Sequence, residues 1–116
     1  MRKYDLYWMT NLDWWDYADD EGTKPFLTEN APAKAVESFN RYWTQHAEDL
    51  IQKIFNRNHT KEEWFELENE TYALFKNVPT ELFKTIDDMF IDSGAGEVLY
   101  MICSGFRYSE QHAKEM

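Results

Sequence analysis

Between Ala33 and Asn58 apolar residues recur every three or four positions, at Val36, Phe39, Trp43, Ala47, Leu50/Ile51 and Ile54/Phe55. No Gly or Pro interrupts the run. The spacing predicts one long amphipathic helix of about 26 residues, roughly 39 Å from end to end. Asn30 stands where a cap would, and Pro32 is tolerated in a first helical turn. A second helix is announced by Thr60-Lys61-Glu62-Glu63, a capping box, and carries Trp64, Leu67, Thr71 and Leu74/Phe75 on one stripe. It should stop near Asn77, because Pro79 breaks the pattern. A third helix starts at Pro79-Thr80, uses Leu82/Phe83, Ile86 and Met89/Phe90, and ends before Ser93-Gly94.

The two ends of the chain are harder to read. Tyr4, Leu6 and Trp8 alternate with Asp5 and Tyr7, which predicts a short strand over 3–9. Asn11 resembles a helix cap ahead of residues 12–17, with Gly22 marking the exit. Residues 22–29 read as an extended connection, since Pro25 disfavours helix at Lys24. In the last segment Val98 to Cys103 has the content of a buried strand, whereas Leu99, Ile102 and Phe106 sit at helical spacing. Length and Glu97 at the start favour the helix. The whole predicts a mainly α, compact helical domain of three to five helices around one long central helix. A short N-terminal strand or β-hairpin is allowed for. Residues 1–116 read as a single domain, with no repeat, low-complexity tract or linker.

Composition changes the picture in one respect. At 43% hydrophobic and 17% aromatic the chain has ample core material, yet 22 Asp/Glu against 12 Lys/Arg leave a net charge of -10. That balance disfavours direct binding to nucleic acid or to an anionic membrane, and favours a protein partner with a basic surface. Cys103 is the one cysteine, so no intramolecular disulfide is possible, and a reducing, cytoplasmic setting is expected. The longest apolar run has six residues, far short of the ~20 that span a bilayer. The N-terminus lacks the apolar stretch of a signal peptide.

Motifs for catalysis or metal binding are weak. His46, His59 and His112 are too far apart in sequence for a local ligand pair, and His46-Ala47-Glu48-Asp49 lacks the second histidine of a helical zinc motif. Asp13, Asp16, Asp19 and Asp20 miss the alternating spacing of a calcium loop. Cys103 and His112 could pair as nucleophile and base, but a cysteine within an apolar run is ordinarily an inert buried thiol. No Gly-rich phosphate loop is present. The expectation is therefore no enzyme, no cofactor and no metal.

The acidic clusters stand above this background. Asp13, Asp16, Asp19, Asp20 and Glu21 form the first, and Glu62, Glu63, Glu66, Glu68 and Glu70 the second; Asp87, Asp88 and Asp92 form a third. Glu62 or Glu63 with Glu66 and Glu70 would share one helix face at intervals of roughly 5–6 Å, where like charges repel by a few tenths of a kcal/mol. Duplex DNA presents comparable rows, one phosphate per ~3.4 Å on each strand. A nucleic-acid-mimicking inhibitor of a restriction or CRISPR-type effector is the concrete form of this reading. The plainer one is an acidic surface that keeps a small interaction or assembly protein soluble, its contact made by the aromatic N-terminus, with a homodimer allowed. Leu6, Trp8, Leu12 and one of the Trp14-Trp15 pair should anchor the N-terminus to the helices. Adjacent tryptophans on a helix point about 100° apart, which leaves Trp15 or Tyr17 as the aromatic contact.

The strings YDLYWMT at Tyr4 to Thr10 and ENAPAKAVESFNRY at Glu29 to Tyr42, with the Trp14-Trp15 pair, resemble a known texture. It is that of small open reading frames carried by phages and conjugative elements of Gram-positive bacteria. The resemblance covers about the first 45 residues and transfers no catalytic residue. What it implies is genomic company, since such cargo often encodes small acidic inhibitors of host defence.

Overall fold

The computed structural model describes residues 4–22, 24–56 and 58–115, and side chains as far as Gln111. Four helices follow a small hairpin: α1 (Ala33–Phe55), α2 (Lys61–Asn77), α3 (Thr80–Ser93) and α4 (Ala95–Glu115). The hairpin pairs β1 (Trp15–Tyr17) with β2 (Pro25–Leu27), antiparallel, with Trp15 opposite Leu27 and Tyr17 opposite Pro25. The molecule measures 60 × 29 × 26 Å.

Helix α1 is the long central helix, and α2, α3, α4 and the N-terminal segment all pack on it. Its buried stripe is Ala35, Phe39, Trp43, Ala47, Leu50 and Ile54, in steps of three and four. Val36, expected on that stripe, is exposed; Ala35 holds the position, and the next residue is rotated ~100° away. The helix starts at Pro32, whose carbonyl accepts from Ala35 and Val36 N–H, so Asn30 does not cap it. At α2 the capping box is complete: Glu63 N–H donates to Thr60 Oγ1 and Thr60 N–H to Glu63 Oε1, at 3.2 and 3.1 Å. Gly94, at φ 76°, terminates α3 in the left-handed conformation that glycine reaches without strain. One residue later α4 begins, so Val98 to Cys103 is helical.

The N-terminal strand gives way to a different arrangement. Residues 4–8 run against α1, held by a polar row beside its apolar stripe. Asp49 accepts from the Tyr4 hydroxyl at 2.6 Å, and Gln45 accepts from Asp5 N–H at 2.7 Å. Ser38 accepts from Trp8 N–H at 3.1 Å and donates to Asp5, which Arg41 also pairs. The Asp5 and Trp8 N–H groups, which a partner strand could have used, are taken by α1 side chains, and Tyr7–Met9 closes into a 3-10 turn. Trp8, 1% exposed, fills the space against α1 and meets Phe39, Tyr42 and Trp15 edge to face.

No helix forms over 12–17. The Asn11 side chain accepts from Asp13 N–H at 2.9 Å, an Asx turn that leads into β1. The turn leaves Leu12 81% exposed, and Leu6 is exposed too, so neither anchors the segment; Trp8 does, with Trp14 and Trp15 half-buried beside it. Gly22 (φ 71°) lies in the connection of the hairpin.

Truncating Trp8 to Ala should cost about 3–5 kcal/mol in urea denaturation, as for other buried tryptophans. Thr60→Ala removes one side of the capping box and should cost about 1 kcal/mol. The two losses should add, because the sites share no partner.

Candidate functional site

A groove of about 570 Å³ opens between α2, α3 and α4, within the size range of ligand and peptide sites. Phe90 and Leu99 are buried in its lining and Phe75 half-buried, and buried Thr71 is nearly apolar there because its hydroxyl donates to the Leu67 carbonyl. Around them Tyr72, Ile91, Tyr100 and Met101 are 64–70% exposed. Four large apolar side chains so exposed around one depression form a patch rather than scattered surface residues. Tyr72, Ile91 and Tyr100 each follow a buried residue of their helix, Thr71, Phe90 and Leu99, and so sit about 100° off its stripe, while Met101 lies further round α4.

The charges lining the groove are all carboxylates: Glu68, Asp87 and Glu97. Glu68 is buried and paired with Arg107, which also lies over the Phe65 ring. Asp87 on α3 and Glu97 in the first turn of α4 make no ion pair among the described residues. The lining is therefore largely apolar, with carboxylates as its charged groups.

A second depression of about 400 Å³ lies between the N-terminal segment, α1 and α2. Tyr4 stacks on His46 with ring centroids 4.0 Å apart, and Tyr42 meets the same imidazole edge to face at 4.6 Å. Burial and the bond to Asp49 push the Tyr4 phenol up to about 12. Burial lowers the His46 imidazole, an effect Asp49 opposes and Lys53 reinforces. The remaining charges here pair across the helices, Lys53 with Glu70 at 4.0 Å.

The predicted acidic residues are distributed unevenly. In the first cluster Asp13, Asp16, Asp20 and Glu21 are exposed around the hairpin, whereas Asp19 accepts from Lys24 N–H at 3.0 Å and shapes the turn. In the second, Glu62 and Glu66 are exposed one turn apart, Glu63 is engaged in the capping box, and Glu70 faces Lys53. The capping role explains part of the repulsive row locally: Glu62 and Glu63 stand in the first turn of α2, where the helix dipole favours them. Trp15 is half-buried, its indole N–H donating to the Met9 carbonyl, and Tyr17 stays 40% exposed against it.

Cys103 is fully buried; its Sγ lies 3.5 Å from the Trp64 carbonyl, and burial pushes the thiol up, the opposite of an activated nucleophile. The His112 side chain lies outside the described residues. Among the described residues no group of three His, Cys, Asp or Glu side chains is arranged to hold a metal ion. No helix among them is long and apolar enough to cross a membrane. No family model, curated protein or solved structure matches the chain.

The sequence reading missed the groove. Its signal was present, as large apolar residues outside each buried stripe, but only the fold shows that three helices bring them together.

The pocket around Tyr4 and His46 fixes two limbs of a pH–stability curve. His46 is lowered on folding, so its contribution is present above the ordinary 6.5 and is lost as pH falls below it. His46→Gln should flatten urea midpoints between about pH 7 and 5.5. Tyr4 is raised from 10.0 to about 12, so its contribution is present below 10.0 and is lost as pH rises from there. Tyr4→Phe should be less alkali-sensitive than the wild type over that range.

Proposed function

We propose that this chain is an acidic, cytoplasmic protein-binding module that engages a partner with a basic surface through the α2–α3–α4 groove. The observation that carries this reading is the groove's make-up: exposed Tyr72, Ile91, Tyr100 and Met101 around an apolar floor, with carboxylates as the charged lining. The two features act at different ranges. A net charge of -10 draws basic surfaces over a Debye length, about 8 Å at physiological salt. The apolar floor then holds what arrives, since burying a large apolar side chain contributes roughly 1.5–3 kcal/mol before the costs of association.

A nucleic-acid-mimicking inhibitor is the second form of the reading. Glu62 and Glu66, exposed one turn apart on α2, support it. Such a protein would fill the basic channel of a restriction or CRISPR-type effector, in keeping with the resemblance to mobile-element cargo.

Salt and two double variants separate the forms in capture experiments on Gram-positive bacterial lysate. A partner held by the groove should survive about 0.5 M salt, which screens surface charge, and be lost with Ile91→Asp/Met101→Asp. A partner held by mimicry should be released by that salt and lost with Glu62→Lys/Glu66→Lys. A captured set indifferent to both variants contradicts the proposal.

A further inference from the structure

We infer that the occupant of the groove is a single amphipathic α-helix carrying Lys or Arg beside its apolar stripe. The inference rests on the protein-binding reading above and narrows its partner.

The walls decide the secondary structure of the guest. All three are α-helices, whose backbone N–H and C=O groups are bonded within each helix away from the ends. The strand pair among the described residues belongs to the hairpin and does not line the groove. An extended segment pressed against these walls would lose hydration from its own N–H and C=O groups and find no ladder to replace it. A helix arrives with those groups already satisfied and presents only side chains. That is the helix-in-groove mode, with anchors at i, i+3 or i+4, and i+7.

Charge decides the guest's flanks. Asp87 stands on the α3 wall and Glu97 at the start of α4, with no Lys or Arg among the lining residues. Cations at the edges of the guest's stripe would meet these carboxylates as it buries its apolar face. An acidic helix would meet like charge instead. A second copy would bring its own -10 and its own Asp87 and Glu97 to the contact, which sets self-association against the field.

The test uses designed peptides of about 18 residues, five helical turns: an amphipathic Leu/Lys helix, its Leu/Glu counterpart, and a Ser/Lys peptide with charge but no apolar stripe. Binding is read by calorimetry and peptide folding by circular dichroism, on full-length wild type and on variants checked for unchanged helicity. The Leu/Lys peptide should bind one to one, become helical, and weaken about tenfold or more with Ile91→Asp/Met101→Asp. Asp87→Lys/Glu97→Lys should weaken it likewise and confer binding of the Leu/Glu peptide.

Unchanged affinity in the groove variant, or a bound peptide that stays unfolded, overturns the inference. If binding is then lost with Glu62→Lys/Glu66→Lys, the basic-partner reading stands without the groove. If none of the basic peptides binds, both fall. Dimerisation of the wild type that Ile91→Asp/Met101→Asp abolishes would make a second copy the occupant and contradict the inference.

Discussion

Everything in this structure leans on the apolar stripe of α1. A 23-residue helix with Phe39, Trp43, Leu50 and Ile54 on one side cannot bury that side by itself. The other three helices and the N-terminal segment supply the cover. The N-terminal part of the cover is the least regular and the most specified. Trp8 provides the apolar contact, and Ser38, Arg41, Gln45 and Asp49 form a row on α1 that receives the groups around it. Asp5 sits at the centre of this row; the Ser38 hydrogen bond, with Arg41 beside it, holds its carboxyl below the usual carboxylate range. The aromatic richness of the first twenty residues is thereby largely explained as packing. Tyr4, Trp8, Trp15 and Tyr17 belong to a run of ring contacts that continues into Phe39, Tyr42 and Trp43.

The same constraint creates the groove. Helices α2, α3 and α4 spend their buried stripes on one another and on α1: Trp64, Leu67 and Leu74, then Ile86 and Phe90, then Leu99 and Cys103. Large apolar residues next to those stripes have no further core to enter. Of these, Tyr72, Ile91, Tyr100 and Met101 gather around one opening as a contiguous exposed patch. The carboxylates divide along similar lines. Glu63, Glu68 and Glu70 work within the fold as cap, ion pair and cross-helix contact, while Glu62, Glu66 and the hairpin rim face outward.

The helical part of this architecture is written plainly in the sequence. Period and punctuation together predict α1, α2 and α3, because Thr60, Pro79 and Gly94 act through local backbone chemistry that needs no tertiary context. The N-terminal region is not so written. An alternating KYDLYWM reads as a strand when the partner is unknown, and here the partner is a row of helix side chains 30 or more residues away. Asn11 can begin a helix or close an Asx turn, and the choice falls to the pairing of β1 with β2. Tyr72, Ile91, Tyr100 and Met101 were visible one by one as off-stripe apolar residues. Their gathering into a site is a property of helix packing, which no local pattern encodes.

A negative protein with an apolar groove makes a definite claim about where a basic helical partner lands. Methyl-labelled NMR spectra of the Ile and Met side chains, recorded while the Leu/Lys helix is added, test that claim most directly. Ile91 and Met101 should shift together and saturate, while Ile51 and Ile54, on α1 and away from the groove, stay still. Shifts confined to Met9 beside the hairpin, with Ile91 and Met101 unmoved, would contradict it.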